Sequence, residues 1–204
     1  MSANPSLAIQ NGLIFEEKWF IKLLMKTFQI NILFILATAL FYTGCKKAVV
    51  ISEKQDILFQ VDYVNYAWGY QHIGFIIDNE GKVLTYKNPQ SWNFPDKDFN
   101  ITENEVRENI KICLNSGKKI PAEELKKYAN YIKNISLSKV TALKNVAADA
   151  GSMEYICYQL QEKSGTYKGY IIKKEGDFTC ENLNFFSKKV TTWLKSINDS
   201  VGKK

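Results

Sequence analysis

The 204 residues carry 27 Lys and Arg against 21 Asp and Glu, a net charge of +6, and are 46% hydrophobic and 13% aromatic. That composition excludes a disordered chain, and the length suits one ordinary domain with a core of its own. The positive excess lies in doublets such as Lys118-Lys119, Lys126-Lys127 and Lys173-Lys174 rather than in tracts, so nucleic acid is not an expected partner.

In chain order, the first organised segment starts at Met25. A basic start at Lys26, an apolar run and a small residue before Cys45 give the three regions of an export signal. The run at residues 32–42 is shorter than the about 20 residues a membrane-spanning helix needs. Tyr42-Thr43-Gly44-Cys45 resembles the lipobox of bacterial lipoproteins, although Tyr42 stands where leucine is usual. The resemblance implies that residues 25–44 are a cleaved signal peptide. Cys45 then becomes a lipidated N-terminus, and the chain is anchored in the bacterial cell envelope, facing the periplasm or the cell surface. A free or disulfide-bonded Cys45 is the alternative reading. Residues 1–24, with Asn11, Glu16 and Glu17, do not fit a short basic start, so translation is expected from Met25 and the first 24 residues are read as a start-site misassignment. Residues 45–56 make a short lipidated tether, and residues 57–204 a single domain.

Within that domain, residues 58–66 and 70–77 read as strands, and the turn Asp78-Asn79-Glu80-Gly81 leads into a further strand at 82–86. Residues 87–100 read as a loop carrying Trp92 and Phe94. Thr102-Glu103-Asn104-Glu105 is a capping box that opens a helix through Leu114, ended by Gly117. Pro121 opens a second helix with Leu125, Tyr128, Ile132 and Ile135 on one face, so the two are expected to form a helical hairpin. Residues 136–151 are compatible with strand or bent helix. Residues 153–160 and 166–173 form a second β-hairpin, and Phe186, Val190, Trp193, Leu194 and Ile197 mark a closing helix at 182–198. The expected fold is α+β: an antiparallel sheet built from two hairpins, with the helical hairpin and the C-terminal helix packed on one face.

Among residues that carry chemistry, Cys113, Cys157 and Cys180 remain once Cys45 is lipidated. Cys157 and Cys180 flank the second hairpin, which makes a disulfide between them the expected pairing in an oxidising compartment, and Cys113 a small buried hydrophobe. His72 is the only histidine. Residues 70–77 and 155–158 resemble the histidine and cysteine segments of permuted papain-like cell-wall peptidases. That resemblance implies His72 as a base for a Cys157 thiolate, whereas those enzymes hold the cysteine at a helix N-terminus and Cys157 reads as mid-strand. Asp96, Asp98, Asn100, Thr102 and Asn104 alternate like calcium ligands, but Ile101 replaces the turn glycine and Arg107 the closing glutamate. No zinc-type spacing, Gly-rich phosphate loop, serine elbow or carboxylate pair is present, so no metal and no cofactor is expected.

Tyr63, Tyr66, Trp68, Tyr70, Tyr86 and Trp92 concentrate aromatic area, either as core or as a recognition surface, with Tyr66, Trp68 and Trp92 as the binding candidates. The Lys/Asn/Tyr-rich style with the signal is similar to that of envelope lipoproteins of Bacteroidota, a likeness that implies no activity. The expectation is therefore a membrane-anchored, non-enzymatic lipoprotein whose domain binds an envelope protein, peptide or glycan, with a cell-wall peptide hydrolase as the alternative.

Overall fold

Residues 57–65, Ile-Leu-Phe-Gln-Val-Asp-Tyr-Val-Asn, are rich in β-branched and aromatic side chains that suit a pleated surface, and they form the central strand of the sheet, β1 (Ile57–Asn65). The structure, a computed structural model, describes residues 54–201, which pack as one unit. Cys45, the signal segment and residues 1–24 lie outside the described residues.

On one side β1 pairs with β2 (Gln71–Asp78), placing Asp62 opposite Gly74 and Val64 opposite His72. On the other it pairs with β7 (Ser152–Gln161), placing Phe59 opposite Cys157 and Asp62 opposite Glu154. β2 turns into β3 (Lys82–Lys87) where the Asp78 carboxylate accepts from the backbone N–H groups of Glu80 and Lys82 and Gly81 takes φ +81°. β7 turns into β8 (Thr166–Gly176). The edges are built from segments without strand patterning: β5 (Leu114–Lys119) beside β3, then β9 (Phe178–Glu181) and β6 (Lys144–Asn145) beyond β8, with β4 (Asn100–Thr102) pairing the start of β8. The order is β5-β3-β2-β1-β7-β8-β9-β6 and every named pairing is antiparallel. The expected α+β class with an antiparallel sheet is what the chain adopts, but the sheet is wider than two hairpins.

The two faces differ. One carries Phe59, Val61, Phe75, Ile77, Val83, Tyr155 and Cys157, packed against α2 (Ala122–Ala129), α3 (Ile132–Ser136) and α4 (Ser187–Val201). Val190, Trp193, Leu194 and Ile197 recur every three or four residues along α4 and all point into this core. Burying side chains of this size contributes about 1.5–3 kcal/mol each. The opposite face carries Ile76, Tyr86, Ile156 and Tyr158 together with the polar Gln60, Asp62 and His72, and is covered by α1 (Glu103–Ile112) and the loop 88–99.

Two expectations are corrected here. The helices do not share one face, and α1 and α2 do not form a hairpin. Residues 114–119, read as the connection between them, become edge strand β5 and carry the chain around the sheet from one face to the other. The Thr102 capping box is present as expected, with Thr102 Oγ1 accepting from the Glu105 N–H and the Glu105 carboxylate accepting from the Thr102 N–H. α4 starts later than expected because Asn182 and Asn184 turn the chain first, their side-chain oxygens accepting from the N–H groups of Asn184 and Phe186.

Candidate functional site

β1 is covered on both faces, so Gln60 and Asp62, which alternate with Phe59 and Val61, are buried with little access to water. A buried polar group must be hydrogen-bonded within the protein, and here the partners form one chain. Tyr158 Oη donates to Gln60 Oε1 (2.8 Å), and Gln60 Nε2 donates to Tyr86 Oη (3.0 Å). Tyr86 Oη in turn donates to Asp62 Oδ1 (2.5 Å), which also accepts from His72 Nε2 (2.7 Å). Burial, reinforced by Asp62, pushes the Tyr86 hydroxyl well above its ordinary pKa and keeps it a donor. Burial does the same to Tyr158. Gly74 makes the convergence possible: a Cβ there would lie 2.4 Å from Tyr86 Oη and 2.2 Å from the Val61 carbonyl oxygen.

His72 is fully buried and its Nδ1 has no hydrogen-bond partner among the described residues. Aromatic rings surround it: Phe94 stacks at 5.1 Å, and Tyr86 and Trp92 meet it edge-on at 5.0 and 5.2 Å. The loop that supplies Trp92 and Phe94 is held at its start and at its middle. Asn88, at φ +46°, donates its N–H to the His72 carbonyl and accepts the His72 N–H on its side-chain oxygen. Asn93 and the buried Asn109 of α1 exchange a pair of hydrogen bonds of 2.9 and 2.8 Å.

Above this support the rings reach the surface. The turn between β1 and β2 presents Tyr66 and Trp68, 72% and 80% exposed, and Tyr70 stands 5.4 Å from Tyr66 and 6.1 Å from His72. Phe94 is also exposed, whereas Trp92 is half-buried, 4.1 Å from Tyr86. Of the three binding candidates, Tyr66 and Trp68 thus belong to an exposed ridge and Trp92 to its support. Burial, then Tyr66 and Asp62, raise the Tyr70 pKa.

No protein family, curated protein or solved structure matches the chain.

Cys113 is half-buried against the Ile156 and Tyr158 cluster, whereas strand register separates Cys157 from Cys180. Cys157 faces the helix-covered core, its Sγ donating to the Tyr170 carbonyl, while Cys180 pairs with Lys174, whose ammonium bridges Glu154 on the Asp62 face. The two thiols lie on opposite faces with β8 between them. Two strand spacings are roughly 10 Å, beyond the roughly 7 Å between Cα atoms that a disulfide allows, and among the described residues Cys113, Cys157 and Cys180 form no disulfide. The same register removes the papain-like pairing. His72 lies opposite Val64 and Cys157 opposite Phe59, five residues and about 16 Å apart along β1 and on opposite faces. Burial pushes the Cys157 thiol up, away from the thiolate such chemistry needs, and pushes Cys113 up to about 12.

Asp96 spends its carboxylate on the N–H groups of Asp98 and Asn100 and on the Asn100 amide, so the alternating oxygens form a turn. Among the described residues no group of three or more His, Cys, Asp and Glu side chains could hold a metal. Sequence reasoning missed Asp62 as the hydrogen-bond partner of His72, Tyr86 as its ring neighbour, and Gln60 as the link from Tyr86 to Tyr158. Their signal was two polar residues within a strand otherwise apolar, which reads equally well as a solvent-facing edge.

Proposed function

We propose that the chain is a lipid-anchored binding protein of the bacterial envelope, held through Cys45, whose aromatic ridge takes a glycan or peptide of the cell wall. The exposure of Tyr66 and Trp68 at the end of a hairpin, above the buried Asp62, Tyr86 and His72 hydrogen bonds, carries this reading. Large rings with polar tips at a surface are the residues that dominate recognition energetics, and a monomeric domain gains nothing from leaving them in water.

Peptidoglycan sacculi present both saccharide rings and peptide, and cosedimentation with them tests the proposal. The chain from Lys46 onward should pellet with sacculi. Trp68→Ala combined with Tyr66→Ala should weaken binding roughly thirtyfold, the equivalent of about 2 kcal/mol for a central aromatic contact. Retained binding in that variant, or none in the parent, overturns the reading. The anchor is tested apart from it by metabolic labelling with an alkynyl fatty acid. Full-length protein should incorporate the label, Cys45→Ala should not, and an equally labelled variant would sink the lipid attachment. Among the described residues no helix is long and apolar enough to cross a membrane.

A further inference from the structure

We infer that the sheet edge formed by β6 and β9, together with the turn before α4, is a docking surface for an anionic phospholipid bilayer. Leu137, Leu183 and Phe185 are 78%, 64% and 75% exposed, and Leu143 and Val146 are exposed beside them. These side chains belong to two segments locked together. The Leu183 N–H donates to the Lys139 carbonyl and the Thr141 N–H to the Glu181 carbonyl (both 2.9 Å), while Asn184 Nδ2 bridges the Asn134 carbonyl and Ser138 Oγ (both 3.1 Å). The apolar tips are therefore held on a fixed platform.

Charge identifies what covers it. Residues 131–146 and 182–196 contain six lysines and no aspartate or glutamate; the β9 segment between them adds Glu181 at the border and Asp177, whose carboxylate is turned to the Ala150 and Gly151 N–H groups. Lys133, Lys139, Lys144, Lys188 and Lys189 are all exposed, and among the described residues none of them has a carboxylate within ion-pair distance. Lys189 lies over the Phe185 ring at 4.9 Å. Lysines interleaved with apolar tips are unlike a protein interface, whose buried centre is depleted in lysine. They suit a bilayer surface, where the ammonium snorkels to the phosphates while the apolar side chain enters the boundary between headgroups and acyl chains.

The chain outside the described residues agrees. Eight residues link Cys45 to Lys54, a span of at most about 32 Å when extended, so a domain anchored at Cys45 stays beside its membrane. That last point rests on the lipid-anchor reading; the surface itself does not.

The chain from Lys46 onward, which carries no lipid and contains every residue of both cores described above, is mixed with phosphatidylcholine vesicles prepared with and without phosphatidylglycerol. It should pellet with the anionic vesicles and much less with the neutral ones. Lys188→Gln with Lys189→Gln should weaken partitioning roughly 25-fold, about fivefold per charge. Leu183→Asn with Phe185→Asn should weaken it at least tenfold at an unchanged Tm, since these surface positions support neither core. A parent that ignores anionic vesicles overturns the inference. So does a Leu183 and Phe185 variant that binds as the parent does, which would reduce the interaction to adsorption of charge. Because no lipid is attached, either failure leaves the Cys45 labelling result standing, and failed labelling leaves the vesicle result standing.

Discussion

Removing the Asp62 carboxylate should cost more than any other single change on its face of the sheet. Asp62→Ala strips the acceptor from His72 Nε2 and from Tyr86 Oη at once, and both rings are buried. Tyr86 keeps the Val61 carbonyl at 3.3 Å as a weaker acceptor, but His72, whose Nδ1 has no partner among the described residues, is left with none of them at either nitrogen. Hydrogen bonds to a charged group contribute about 1.5–3 kcal/mol each, so the two lost here, partly offset by the Val61 carbonyl, amount to about 3–5 kcal/mol. For a domain of about 150 residues that corresponds to a fall in Tm of roughly 6–20 °C. Urea and thermal unfolding followed by circular dichroism on Asp62→Ala, Tyr86→Phe and the double variant measure it. The double variant should lose less than the sum, with a coupling of about 1–3 kcal/mol, because the orphaned Tyr86 hydroxyl is absent from it. An Asp62→Ala loss under about 1 kcal/mol, or strict additivity, would refute the claim that the network is closed and dry.

Gly74→Ala should cost roughly 2–3 kcal/mol in urea unfolding, because its Cβ would meet the Val61 carbonyl and the Tyr86 hydroxyl at closer than van der Waals distance; a change within about 0.5 kcal/mol would show that the strands separate freely there. Ellman titration of unreduced chain from Lys46 onward should find three thiols in denaturant, and a count of one would restore the disulfide. Native Cys113 and Cys157 should react slowly at pH 8, since burial raises both thiols. Burial pushes the Glu175 carboxyl up, but Lys173 and Lys195 at 2.7 and 2.8 Å outweigh it and hold it below its ordinary value. Its contribution to stability is therefore present above the unfolded pKa near 4.5 and is lost as pH falls through the folded one. Glu175→Gln should flatten the acid side of the pH and stability profile, and an unchanged acid limb would contradict the pairing.

The sequence displayed its secondary structure where periodicity and burial agreed. The stripe from Val190 to Ile197, the Thr102 capping box and the turn at Asp78 each state their local conformation in the residues themselves. It hid β5, because Leu-Asn-Ser-Gly-Lys-Lys has neither alternation nor apolar content and is a strand only through its bonds to β3. That one unread strand moved α1 to the wrong face. The site was half legible for a related reason. Exposed Tyr66 and Trp68 follow from an aromatic turn, but Gln60 and Asp62 look like the wet side of a strand until α1 and the loop 88–99 are known to cover them. Pairing Cys157 with Cys180 failed because closeness across a hairpin in sequence says nothing about which side of the sheet each thiol faces.

The position of β1 sets an order of assembly. Its neighbour β2 follows within a few residues, but its other neighbour, β7, begins only at Ser152. Non-local pairings of this kind are slow to form, since a long loop must close before any bond rewards it. A chain emerging from its N-terminus can make the β2 and β3 hairpin early, yet the seam through the middle of the sheet waits until residues 152–159 are free. Tyr158, which donates to Gln60, arrives with that seam. Gln60 and Asp62 consequently keep their hydration through most of folding and surrender it in one late step, so docking of β7 should limit the rate at which the domain matures.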